Sequence, residues 1–176
     1  MRDFSLFLPI LAAALPLPAS GQIALADSPI DNFVRETLEI HTRTSTCREE
    51  FDPNEALIKF DYAKGTMRKS EELDHKEPRV TNHIMTWQFP GFSLTSFTFF
   101  SFYGPSTWLR RLKISEPSEL AQGVKFGDSV KKYAQVLEVS EELIRLNRVH
   151  VYRADVTFDV DDNDAVVSII FECIAD

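Results

Sequence analysis

Basic residues are in short supply in this sequence. Its 19 lysines and arginines face 27 aspartates and glutamates, which leaves a net charge of −8 and a pI near 5.0. A nucleic-acid partner requires a basic footprint to neutralise phosphates, so that class is excluded, and the same balance disfavours an anionic membrane surface. Long apolar runs are lacking too. The best of them, residues 6–14, contains Pro9 and is followed by Pro16 and Pro18, so it is too short and too broken for stable membrane insertion. No phosphate-cradling glycine loop, dinucleotide fingerprint, G-x-S-x-G elbow or H-E-x-x-H pair is present, and His41, His75, His83 and His150 are scattered. The sequence therefore assigns no catalytic, cofactor-binding or metal-binding residue. Cysteine is limited to two residues, Cys47 and Cys173.

What is present begins with an export signal. Residues 1–26 have a positive start at Arg2, the apolar segment just described, and Ala24-Leu25-Ala26 as an A-x-A cleavage site, giving a mature start at Asp27. Ala19-Ser20-Gly21 is the alternative cleavage site, and a buried N-terminal helix is the competing account of the segment. No cysteine follows the signal directly, so a lipid anchor is not expected. Export places the protein in the periplasm, where an oxidising environment would join Cys47 to Cys173. That bond closes a loop of 126 residues and would stabilise the fold by roughly 4–5 kcal/mol on the chain-entropy model. Two free buried thiols are the alternative.

The rest of the chain alternates helix signals with strand signals. Ser28-Pro29 opens a helix with serine as cap and proline at the first position. Ile30, Phe33, Val34, Thr37, Leu38 and His41 then fall on one face, which makes His41 a core or boundary side chain in preference to a ligand. Asp52-Pro53-Asn54-Glu55 starts a second helix as a capping box, with Ala56, Leu57 and Phe60 as its apolar face and Gly65 as its stop. Residues 65–79 are dominated by charge and read as a mobile loop, because they bury too little to offset their ordering entropy. Asp128 is the expected cap of a third helix, whose apolar stripe is Val130, Tyr133, Ala134 and Leu137. Residues 140–145 are either a further short helical turn or a loop. Ala154, Val156, Phe158 and Val160 alternate with polar neighbours, Asp161 to Asp164 form a turn, and Val167, Ile169, Phe171 and Cys173 share one face of the last strand.

Aromatic residues concentrate between residues 83 and 114. Nine of the twenty lie from Trp87 to Trp108. Residues 83–89 alternate as a strand, and Phe89-Pro90-Gly91-Phe92 has the chemistry of a type II turn. Residues 92–103 form a long strand whose apolar phase slips between Leu94 and Phe97, so either a bulge or a sheet with apolar side chains on both faces is implied. Gly104-Pro105 turns the chain into a strand over 108–114. Helices can cover only one face of a single sheet, so some rings are expected on an open face. The residues assigned to a partner surface are Trp87, Phe89, Phe92, Phe97, Phe99, Tyr103 and Trp108; a well-filled core is the alternative use of the same rings.

These elements make an α+β protein: a connector with one helix at 27–50, then two tandem helix-plus-antiparallel-meander units at 51–115 and 116–176, forming one sheet with helices on one face. The run Val124-Lys125-Phe126-Gly127-Asp128-Ser129-Val130 into the third helix, and Trp108-Leu109-Arg110-Arg111-Leu112-Lys113-Ile114-Ser115 followed by Glu116-Pro117, resemble periplasmic modules of the β-lactamase-inhibitor-protein type and the related small lipoprotein of the outer-membrane assembly machine. The resemblance spans roughly residues 50–173. The Gly-x-Pro that usually follows the helix is replaced by Glu138-Val139-Ser140, and the lipid-anchoring cysteine is missing. The resemblance implies a non-catalytic role in which a sheet face contacts a protein partner, with no cofactor.

Three local patterns resemble functional motifs. Ser129-Val130-Lys131-Lys132 matches the S-x-x-K of penicillin-recognising enzymes but lacks their other motifs, so a helix start explains it better. Asp159-x-Asp161-x-Asn163 opens like a calcium loop, yet Asp164 and Ile170 occupy the glycine and glutamate positions, so a plain turn is favoured. Arg110, Arg111 and Lys113 alternate with leucines as a solvated strand face or the rim of a site for an acidic protein. A small hydrolase with a site invisible in one dimension and a structural envelope protein are the alternative functions. The cysteine pairing has a direct check: the exported protein should weigh two hydrogens less under non-reducing conditions than after reduction, and two free thiols would contradict it.

Overall fold

A computed structural model describes residues 28–44, 47, 50–58, 61–73, 81–116, 118–146, 149–151 and 154–173. The expected signal peptide, Phe60 and residues 74–80 lie outside them.

The first helix, α1 (Pro29–Thr42), forms as its sequence dictates. The Ser28 hydroxyl accepts from the Asp31 N–H while the Asp31 carboxylate accepts from the Ser28 N–H, and Pro29 occupies the first position. Every member of the stripe from Ile30 to His41 is buried, and Arg43 ends the helix in left-handed backbone at φ 60°. A short helix α2 (Pro53–Leu57) follows, with the Asp52 carboxylate capping the Asn54 N–H at 2.9 Å. Two more helices, α3 (Val130–Leu137) and α4 (Glu141–Arg145), precede the last strands; the latter settles residues 140–145 as helix. Among the described residues no helix is long and apolar enough to cross a membrane.

All strands join one antiparallel sheet. β1 (Thr66–Leu73), β2 (Thr81–Phe89), β3 (Phe92–Ser101) and β4 (Gly104–Ser115) form one meander; β5 (Val149–Val151), β6 (Ala154–Val160) and β7 (Val166–Cys173) form another. The spatial order β1-β2-β3-β4-β7-β6-β5 sews the two together where Leu112 faces Phe171 and Ile114 faces Ile169. All four of those side chains are fully buried.

Helices and sheet meet on one face. Phe158 of β6 stacks on Phe33 of α1 at 6.5 Å and meets Tyr133 of α3 edge-on at 5.9 Å. Farther along α1, His41 lies 6.0 Å from Phe92 of β3, and its Nε2–H donates to the Glu119 carbonyl at 2.8 Å. His41 is thus a core histidine. Beyond Arg111, β4 exchanges β7 for a different neighbour: the Phe51 N–H donates to the Thr107 carbonyl at 2.8 Å and Glu50 bridges to Trp108. The Cys47–Cys173 disulfide, with Cα atoms 5.3 Å apart, fastens the end of β7 beside this changeover.

Five expectations are corrected. Residues 66–73 are not a loop but the edge strand β1, so the first meander has four strands; the strand is held by its pairing with β2 and exposes nearly all its side chains. Charged residues suit such an edge because they discourage a further strand from adding. The cap of α3 is Ser129, whose hydroxyl accepts from the Lys132 N–H at 3.3 Å, while Asp128 accepts from the Lys125 N–H at 2.8 Å and from the Lys132 amine at 2.6 Å. The β3–β4 turn comes two residues early, at Phe102-Tyr103, and Gly104 already pairs with Ser101. A bulge opposite Asp159–Val160 turns Val167 outward and buries Val166 in its place. Gly65 stands before β1 instead of stopping α2, and a Cβ there would overlap the Phe89 ring. Replacing Gly65 with alanine should therefore destabilise the fold by about 1–3 kcal/mol through overpacking, partly relieved in a Phe89→Leu background. Phe158→Ala should be worse, about 3–5 kcal/mol, because two helices lose their common contact. Denaturant melts of the three variants check both, and an unchanged midpoint for Gly65→Ala would contradict the packing.

Candidate functional site

Strand pairing assigns each ring of the aromatic region to a face. Trp87 is opposite Leu94, and Leu94 is opposite Leu112, so these three point the same way, towards the helices. Phe89 and Phe92 face each other beside them, with ring centroids 6.4 Å apart. Trp87, Phe89 and Phe92 are all buried, which leaves them nothing to offer a partner. Their assignment to the partner surface is corrected: they fill the core.

The other face carries a second aromatic group. Ile84 is opposite Phe97 and Phe97 opposite Trp108, so one row crosses β2, β3 and β4 on the side away from the helices. Phe99 joins it edge-on to Trp108 at 5.8 Å. All four side chains are half-buried, shielded by each other and not by any described helix. The slip in apolar phase along β3 comes from a sheet that is apolar on both faces. The bulge lies on the neighbouring strand, where Thr95 pairs with Arg111 but Ser96 pairs with Leu109. The extra residue on β4 is Arg110. Its guanidinium lies 5.9 Å from the Phe97 ring centroid and donates to the Glu72 carboxylate at 3.0 Å, which brings charge from the edge strand over the ring.

Charge borders this row. Arg111 faces Glu172 at 3.5 Å and Lys113 faces Asp159 at 3.2 Å, both partly exposed and lying on the same open face. Exposed pairs of this kind contribute about 0–1 kcal/mol to stability, so their arrangement matters more for what they present than for what they hold. The result is an apolar centre with a polar border.

Tyr103 belongs to neither group. It shares the β3–β4 turn with Phe102, and the two rings are 98% and 99% exposed. The Ser101 hydroxyl accepts from the Tyr103 N–H at 3.2 Å and donates to the Gly104 carbonyl at 3.0 Å, while Gly104 takes φ 115°. That backbone angle suits glycine alone. The turn is thereby fixed and its rings stand 5.7 Å apart, edge to face. Phe100, one step back, is 41% exposed and packs on His83 at 5.0 Å. Sequence reasoning overlooked Phe100, Phe102, Ile84 and the role of Arg110. The signal for the turn was Ser101 three residues ahead of Gly104, a hydroxyl placed to close a two-residue turn.

The patterns weighed as chemistry are engaged elsewhere. In the S-x-x-K run the Ser129 hydroxyl caps α3 and the Lys132 amine is bound to Asp128, so neither is set up as nucleophile or base. In the acidic turn Asp161 accepts from the Asn163 and Ala165 N–H groups at 2.9 Å each, and Asp164 is held by Arg145 at 2.7 Å. The Asp161 carboxyl is lowered below 3.8 chiefly by the Ala165 N–H, and that of Asp164 chiefly by Arg145. No group of three His, Cys, Asp or Glu side chains among the described residues is arranged to hold a metal ion. An open groove of about 530 Å³ lies along the loop before α3, lined by Leu120, Val124 and Phe126 with Glu116, Glu119 and Lys125.

These carboxylates set a pH dependence. Each is more acidic in the folded chain, so its contribution is present above 3.8 and is lost as pH falls through the folded value. Asp164→Asn should lower the melting temperature at neutral pH, and the gap from wild type should close in strong acid; a gap that persists there would contradict the pairing with Arg145. Added calcium should leave the melting temperature unchanged. Comparison with family models, with curated proteins and with solved structures finds no match for this chain.

Proposed function

We propose that this protein is a non-catalytic binding module of the periplasm that holds a protein partner against the uncovered face of its sheet. One observation carries the reading: among the described residues the helices pack on one face only, and the other presents Ile84, Phe97, Phe99 and Trp108 as a continuous row bordered by Arg110, Arg111 and Lys113. Such a face combines ring area that is only half-withdrawn from water with charges able to select a partner. The resemblance to inhibitor-type periplasmic modules points the same way, and so does a sheet built from two meanders. The intramolecular disulfide fits an oxidising compartment. Export through residues 1–26 is part of this reading.

The basic border and the aromatic centre together suit an acidic or neutral protein surface with its own apolar patch. Removing the centre tests the idea without disturbing the core. A Phe99→Ser, Trp108→Ser double variant should keep most of its melting temperature and lose at least about tenfold in affinity for whatever the wild type captures from periplasm, the scale of an interface hot spot. If the folded double variant recovers the same proteins equally well, the sheet face is not the contact surface.

A further inference from the structure

We infer that the β3–β4 turn is a second interaction site, a membrane-interface anchor that dips Phe100, Phe102 and Tyr103 into the boundary between headgroups and acyl chains of a bilayer without net surface charge. It uses different residues from the sheet-face site and does not depend on it.

The first ground is the distribution of charge. The chain is 26% charged, yet residues 80–109 contain no aspartate, glutamate, lysine or arginine. Moving a charge into a low-dielectric layer is costly, and the turn end of this hairpin, as far as Leu109 on β4, has none to move. The second ground is hydrogen bonding at the turn. Backbone groups that leave water must find partners within the protein, and here Gly104 pairs with Ser101 while the Ser101 hydroxyl serves the Tyr103 N–H and the Gly104 carbonyl. The third is composition. Tyrosine is enriched at membrane interfaces, where its ring is apolar and its phenol stays wet, and phenylalanine is among the side chains that interfacial elements bury.

Geometry sets the depth. Glu72 of β1 is level with Asn82, one step nearer the turn than the His83–Thr98 pair and so three residues before Phe102. At about 3.3 Å per residue the turn projects roughly 10 Å past that carboxylate. Interfacial elements sink about 5–10 Å, so the rings can enter while Glu71 and Glu72 remain in water and stop further descent. A protein partner would need a pocket shaped for a projecting pair of rings. Around this turn the neighbouring residues Ser101, Pro105 and Ser106 are neutral as well, which a bilayer tolerates without a matching pocket. The net charge of −8 selects lipids without negative charge.

Vesicle flotation tests the anchor, using the disulfide-bonded protein with phosphatidylcholine vesicles and with vesicles containing phosphatidylglycerol. The wild type should float with phosphatidylcholine, independently of salt. A Phe102→Trp variant should be quenched by phosphatidylcholine brominated on its acyl chains more than the wild type is. A Phe102→Ser, Tyr103→Ser variant should partition at least about tenfold more weakly, the loss of two exposed rings. Phe99→Ser, Trp108→Ser should leave partitioning unchanged, which separates this site from the sheet face. The anchor is overturned if the wild type stays off phosphatidylcholine, if it binds only anionic vesicles and salt releases it, or if the serine variant at the turn floats as well as the wild type. Loss of a captured protein by that variant, with no vesicle binding by the wild type, would make the turn a protein contact instead.

Discussion

Phe158 receives two helices at once. Phe33 reaches it from the first helix and Tyr133 from the third, and that shared contact seats both helices on the same side of the sheet. Burial pushes the Tyr133 phenol pKa up, and its hydroxyl donates to the Lys125 carbonyl at 3.1 Å, so even the polar end of that ring is accounted for inside. Much else follows from this one-sidedness. Trp87, Phe89 and Phe92 fall inward and become structural, while the rings one residue out of phase with them stand outside.

The two meanders need a second constraint to act as one platform. Leu112 against Phe171 and Ile114 against Ile169 join them over only part of β4. Where β7 ends, the segment at Glu50 and Phe51 takes over the edge of β4, and the disulfide ties that segment to the last strand. The open face is therefore continuous from β1 to β5. Its charged pairs run along it, and Arg110, displaced by a bulge, brings the edge strand's Glu72 to the aromatic row. A bulge that re-aims one side chain next to a binding surface is a common use of this irregularity.

Much of this was legible in the sequence because burial leaves a period. The stripe of α1, the stripe of α3 and the alternation in β6 are periodic; both stripes prove buried, as do Ala154, Val156 and Phe158 of β6. The presence of a single pair of cysteines, read with the expectation of export, sufficed for the disulfide. What was hidden lacked a period or had two equivalent candidates. β1 gains its order from backbone bonds at the sheet edge, so nothing apolar marks it. Val166 and Val167 are chemically identical, and only the bulge decides which one is inside. Asp128 and Ser129 are both good caps, and Lys132 and the Lys125 N–H together draw Asp128 away. For the candidate site, the slip in apolar phase allowed either a bulge or apolar side chains on both faces, and the inward and outward sets are distinguished only by cross-strand register.

Inward and outward tryptophans give the sharpest test of the whole account. In Trp108→Phe the remaining emission comes from Trp87, and in Trp87→Phe from Trp108. Acrylamide quenching of the two folded variants should leave Trp87 shielded and blue-shifted and reach Trp108 readily. Equal shielding of the two would mean that something covers the second face, and a quenched Trp87 would mean that the helices do not pack where Phe158 holds them.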